Sequence, residues 1–134
     1  MIYDHFPLAG GFKELAYGRQ DGPSIRAAVR PTASEHEAGL VQYLHGGATL
    51  VLSPSAEPDV LSETGEFIGG LHLLTDGQWL WYSDLAHYVT RYHVELDLAF
   101  VEHARSHNWT VPQISEEHLE TMVTLLVEEE VESD

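Results

Sequence analysis

Leu71-His72-Leu73-Leu74-Thr75-Asp76-Gly77-Gln78-Trp79-Leu80-Trp81-Tyr82 is the stretch whose reading decides the fold. Two apolar and aromatic runs flank Asp76-Gly77, a dipeptide that tolerates the positive φ values of a two-residue hairpin turn. Side chains alternate across a strand, so Trp79 and Trp81 share one face while Leu80 and Tyr82 share the other. Both faces are apolar, which predicts a hairpin covered on each side. Large aromatics in that setting are expected to be core residues, with ligand stacking the weaker alternative.

On the C-terminal side, Ser83 is placed to cap a helix with Asp84 in its first turn. Leu85, Tyr88, Val89 and Tyr92 then recur at i, i+3, i+4, i+7 and define its apolar stripe. A second helix follows, with Asp97 as cap, Phe100, Val101 and Ala104 facing inward, and Asn108 as terminator. The third starts at Ser115, sets Glu116 and Glu117 at the positive end of its dipole, and is expected to bury Leu119, Met122, Val123 and Leu126.

On the N-terminal side, Ser34 and Glu37 have capping-box spacing ahead of Leu40, Val41 and Leu44, and Gly46-Gly47 stops that helix. Residues 48–53 read as a short buried strand closed by Pro54, and residues 54–66 as a surface loop. Residues 24–30 fit either a half-buried strand, from the alternation of Ile25, Ala27 and Val29, or a short helix opened by Gly22-Pro23-Ser24. The fold class is α+β: a small antiparallel sheet with a tryptophan-rich hairpin, packed with three or four helices. One domain is expected over residues 1–127, followed by an acidic tail, 128–134, that frays because its glutamates sit at the negative end of a helix dipole.

A chain of 134 residues can bury a core without a staple, and it has no cysteine for a disulfide, a thiol nucleophile or a thiolate metal site. Residues 1–8 lack a basic n-region and no apolar run is long enough to span a bilayer, so a cytoplasmic protein is expected. Six Lys and Arg against 22 Asp and Glu give a net charge of −16. The first thirty residues carry +1, so the remainder carries −17. Such a field repels nucleic acid and anionic membranes and attracts a basic protein partner; the plainer reading is solubility.

No serine sits in a nucleophile elbow, and no glycine pair belongs to a phosphate-cradling motif. His103 and His107 lie one helical turn apart, the spacing of a zinc helix, but a third ligand would have to come from elsewhere, such as His118. Solvated surface histidines are the favoured reading, and neither a metal nor another cofactor is expected. Asp84, His87 and Arg91 are spaced to form a charge ladder on the face opposite Leu85, and a carboxylate beside an imidazole could also serve acid–base chemistry. With Glu128, Glu129 and Glu130 of the tail, these three are the candidate binding residues.

The run Leu74-Thr75-Asp76-Gly77-x-Trp79-x-Trp81-x-x-Asp84-Leu85-x-x-Tyr88-Val89-x-x-Tyr92-His93 resembles a group of small bacterial proteins common in actinobacteria. Some of these look like the immunity proteins that sit beside secreted toxins. The resemblance covers roughly residues 40–110 and its motif is descriptive rather than catalytic. Asp97 stands where the group has proline, and Tyr82 where proline or a basic residue is usual. The likeness implies an immunity-type inhibitor of a basic toxin domain. The alternative is a small enzyme or a ligand- or metal-binding protein using surface histidines.

Overall fold

The computed structural model describes residues 6–132, with side-chain surroundings through residue 128. Its elements are α1 (Ile25–Ala28), α2 (Glu37–His45), β1 (Ala48–Val51), β2 (Glu57–Pro58), β3 (Phe67–Ile68), β4 (Leu73–Thr75), β5 (Leu80–Tyr82), α3 (Asp84–Tyr92), α4 (Leu98–Ser106) and α5 (Glu116–Glu132). The fold is α+β. A three-stranded antiparallel sheet has the order β1-β4-β5, and β2 pairs with β3 in a separate two-stranded ladder. Residues 7–9 run parallel to the free edge of β5, where Leu80 N–H donates to Pro7 O and Ala9 N–H donates to Leu80 O.

The hairpin is covered on both sides, as its sequence predicts. Trp81 and Leu74, paired across β4 and β5, face the main core with Leu44, Leu85, Val89 and Phe100. Leu73 and Leu80 face a second cluster that α5 closes with Met122. Trp81 is fully buried, donates its indole N–H to Leu44 O at 3.0 Å, and packs edge-on to Phe100. Its fit depends on Gly47, where a Cβ would lie 2.6 Å from the indole ring. Gly46 ends α2, so the glycine pair both stops the helix and admits the tryptophan.

The turn differs from the expected two-residue form. Pairing ends at Thr75 and Leu80, so residues 76–79 make a four-residue loop and Trp79 lies in it rather than on β5. The cause is Asp76, whose carboxylate accepts the N–H groups of Gln78 and Trp79 and holds the wider loop closed. Trp79 is half-buried.

Other local expectations shift for identifiable reasons. The Ser34–Glu37 capping box does not form: α2 starts at Glu37 behind His36, Ser34 supplies only its carbonyl, and the Glu37 carboxylate reaches His93 instead. β1 is an edge strand with alternating burial, leaving Val51 and Leu52 exposed where a buried strand was expected. Residues 54–66 are not loop alone, because they contain β2 and the buried Asp59. Residues 24–30 resolve as the single turn α1, whose first N–H is accepted by Glu14. Ser83 sits at the start of α3 without capping it; its hydroxyl ties Gly70 and His72 to the helix. Ser115 does cap, accepting the His118 N–H. On α5 only Met122 of the four expected residues is fully buried, and Val123 is exposed. The backbone of α5 continues as helix to Glu132, five residues beyond the boundary expected at 127.

Trp81→Ala should cost about 3–5 kcal/mol in urea unfolding, because the side chain is fully buried and hydrogen-bonded. Trp79→Ala should cost less, about 1–2 kcal/mol, in line with its partial exposure.

Candidate functional site

Three aspartates, Asp59, Asp76 and Asp84, are buried among the described residues. A buried carboxylate is costly unless hydrogen-bonded, so the donors around each one define its chemistry. Asp76 opens the hairpin loop. Its Oδ1 accepts the N–H groups of Gln78 at 2.9 Å and Trp79 at 2.7 Å, and its Oδ2 accepts the Tyr43 hydroxyl at 2.5 Å and lies 2.8 Å from His103 Nε2. Asp59 repeats the arrangement just after β2. Its Oδ1 accepts the Leu61 N–H at 2.9 Å, while its Oδ2 meets His87 Nε2 at 2.7 Å and the Tyr92 hydroxyl at 2.9 Å. In both cases one oxygen closes the local turn and the other gathers a histidine and a tyrosine from helices.

Asp84 has fewer partners, chiefly the Tyr17 hydroxyl at 2.5 Å. The difference shows in protonation. Burial pushes the Asp84 carboxyl up to about 6, against the opposing pull of Tyr17 and His87. At Asp59 burial acts in the same direction but is outweighed by the hydrogen bonds from His87, Leu61 and Tyr92, so its pKa falls below the usual value. Burial and the facing Asp76 raise the Tyr43 hydroxyl far above the usual tyrosine range, keeping it a donor.

The sequence-derived site residues are thus dispersed. Asp84, His87 and Arg91 do not form an exposed ladder: Asp84 is buried against Tyr17, His87 turns to Asp59, and Arg91 pairs with Glu66 at 2.9 Å. Asp84 is buried in the first turn of α3, where the Tyr17 hydroxyl donates to it. The helix face that carries His87, Tyr88, Arg91 and Tyr92 instead clamps the segment containing β2 and β3. His103 and His107 are neighbours, with ring centroids 4.8 Å apart, and His103 is held by Asp76. His118 bonds Gly77 O. Among the described residues no three His, Asp or Glu side chains gather to hold a metal ion. Glu128 is exposed, and the side chains of Glu129 and Glu130 lie outside those described.

Sequence reasoning missed Asp59, Asp76, Tyr43 and Tyr17. For Tyr43 and for Asp59, the partner of Tyr92, the available signal was a tyrosine on an apolar helix face, since a buried hydroxyl needs a partner; Tyr17 lies outside any helix and gave no such signal.

An aspartate–histidine pair becomes catalytic when the far ring nitrogen meets a nucleophile or substrate. No hydroxyl bonds either His87 or His103 among the described residues. Two of the concave sites have charged side chains from separate elements in their walls. A cleft of about 280 Å³ has the Glu37–His93 pair, at 2.8 Å, in its wall above Leu40 and Leu96. A larger one, of about 430 Å³, is lined by Leu8, Arg19, Asp21, Pro23, Trp79 and Asp97. No family model, curated protein or solved structure matches the chain. No helix among the described residues is long and apolar enough to cross a membrane.

The two shifted aspartates predict opposite pH dependences. Asp84 is raised from 3.8 to about 6, so its protonated form is favoured by folding; its contribution is complete below the unfolded value and is lost as pH rises through about 6. Asp59 is lowered, so its contribution is present at neutral pH and disappears as pH falls through the acid range. Denaturant titrations should therefore show Asp84→Asn abolishing a decline in stability between pH 4 and 6, on the order of 2–3 kcal/mol. Asp59→Asn should cost about 2 kcal/mol at pH 7 and make the protein less acid-sensitive.

Proposed function

We propose that the protein is an acidic binding protein for a basic protein partner, in the manner of an immunity-type inhibitor that covers a cationic toxin domain. The observation that carries this reading is the outer face of α5. Glu116, Glu120, Val123 and Val127 recur at i, i+4, i+7, i+11, and Glu117, Thr121, Thr124 and Glu128 form the adjacent row; all eight are exposed. None of these glutamates forms an ion pair among the described residues. The helix presents two exposed valines, Val127 half-exposed at 51%, between unpaired carboxylates. Apolar anchors flanked by like charge suit a partner with a complementary basic rim: the charges steer encounter, and the buried valines hold the complex.

The cations elsewhere do little to offset this field. Arg30 and Arg91 are neutralised by Glu95 and Glu66, while Arg26 is bonded to the Val60 carbonyl and Arg105 lies over Trp109. The same field disfavours nucleic acid and anionic membrane as partners. An enzyme working through His87 or His103 has less support, because each imidazole is bound to a buried aspartate that serves the fold.

The test is capture from the native lysate on immobilised protein at low and high salt. A strongly basic protein should be retained at about 0.05 M salt and released near 0.5 M, where screening is short-ranged. Retention should fall at least tenfold for Glu116→Gln/Glu117→Gln/Glu120→Gln and for Val123→Ser/Val127→Ser. Failure to retain any basic protein, or equal retention by these variants, overturns the reading. Removing residues 128–134 should shift the melting midpoint by no more than about 2 °C, since glutamates at the negative end of the helix add little stability, and should slow association at low salt.

A further inference from the structure

One concave site lies where three distant parts of the chain meet: the N-terminal arch of residues 7–23, the hairpin loop at Trp79, and Asp97 at the start of α4. At about 430 Å³ it is within the range of about 300–1,000 Å³ usual for small-molecule sites. We infer that it binds a zwitterionic amino acid with an aromatic or large apolar side chain. The inference is independent of the α5 surface.

Arg19 is the first reason. Four of the five arginines have their side chains engaged with a carboxylate, a carbonyl or an indole, whereas the Arg19 guanidinium makes no ion pair or hydrogen bond among the described residues. A free guanidinium in a chain of net charge −16 is a forked donor for a ligand carboxylate. The two aspartates lining the same cavity are the second. Asp97 occupies the cap position of α4 yet makes no side-chain cap bond, and Asp21 likewise has no partner among the described residues. Both carboxylates are available to an ammonium group, whose three N–H donors can serve two acceptors at once. A simple anion would be repelled by the aspartates and a simple cation by Arg19. A molecule carrying both charges satisfies each.

Trp79 supplies the apolar wall with Leu8 and Pro23. Its backbone is fixed at both ends, the N–H by Asp76 and the carbonyl by the Thr75 hydroxyl at 2.7 Å, and its ring packs edge-on against Phe100 at 5.2 Å. Its indole N–H has no acceptor among the described residues, unlike that of Trp81. The arch is held equally firmly. Gly22 N–H closes a turn onto Arg19 O at 3.0 Å, and a Cβ at Gly22 would lie 2.4 Å from Gly11 O, so only glycine allows the two limbs of the arch to approach. Arg19 and Asp21 are thereby presented on a rigid turn, which lowers the ordering cost of binding.

Isothermal titration with L-phenylalanine tests the inference, with phenethylamine and 3-phenylpropionate as probes lacking one charge each. Phenylalanine should bind saturably with Kd of about 1 mM or tighter, and each single-charge probe at least about tenfold more weakly. Arg19→Gln and Asp97→Asn, both exposed and expected to fold normally, should each weaken phenylalanine at least about tenfold while leaving basic-partner capture by α5 unchanged. No saturable heat up to about 20 mM phenylalanine, equal binding of a single-charge probe, or wild-type affinity in Arg19→Gln would overturn it.

Discussion

The Asp76 carboxylate is the point on which the two layers of the molecule depend. It is buried, yet it receives four donors from three elements: two backbone N–H groups of its own loop, Tyr43 from α2 and His103 from α4. Removing any donor would leave part of a carboxylate unsolvated, so the hairpin cannot shift relative to the helices without a large penalty. The same bonds position Trp79 and, two residues later, Trp81, around which Tyr43 and Phe100 pack. Apolar burial supplies most of the driving force, and the aspartate selects which packing is adopted.

Asp59 applies the same solution to a weaker region. The ladder of β2 and β3 is two residues long on each strand and could not hold itself together in water. It is fixed to α3 instead, through His87 and Tyr92 on Asp59, the Tyr88 hydroxyl on Val60 N–H, and Arg91 on Glu66. The seam therefore joins two tyrosines of the apolar stripe to His87 and Arg91 beside them, running from the buried Asp59 out to the exposed Arg91–Glu66 pair.

This explains what was legible in the sequence. The hairpin faces, the stripes of α3 and α4, the glycine stop of α2 and the Ser115 cap follow from local periodicity and capping chemistry, and they stand. The Asp-Gly turn was read with the wrong length because Asp76 binds the N–H groups of Gln78 and Trp79, whereas the Ser34 capping box and the Asp84–His87–Arg91 ladder were overridden by partners distant in sequence: His93 for Glu37, and Tyr17, Asp59 and Glu66 for the ladder. Polar side chains lose to tertiary partners more readily than apolar ones because their energy depends on specific geometry, whereas an apolar stripe needs only a side to face. Of the candidate site, the acidity was visible in composition, but the exposure of Val123 and Val127 was not, since the same heptad spacing fits a buried face.

The placement of the unpaired charges completes the argument. The turn that carries Arg19 and Asp21 is far in sequence from Asp97, and the two meet only when the arch of residues 7–23 is seated on Leu80 and beside Trp79. A site of this kind does not exist in the unfolded chain, so occupancy adds directly to stability and most of that gain falls on the seating of the arch. Since residues 7–9 also cover the open edge of β5, the element that shields the sheet from pairing with another chain is the one that shapes the cavity. Pinning by Gly22 and by the Lys13 N–H on Pro23 O is then under two constraints at once, edge protection and the presentation of Arg19, and a change that loosens the arch acts on both together.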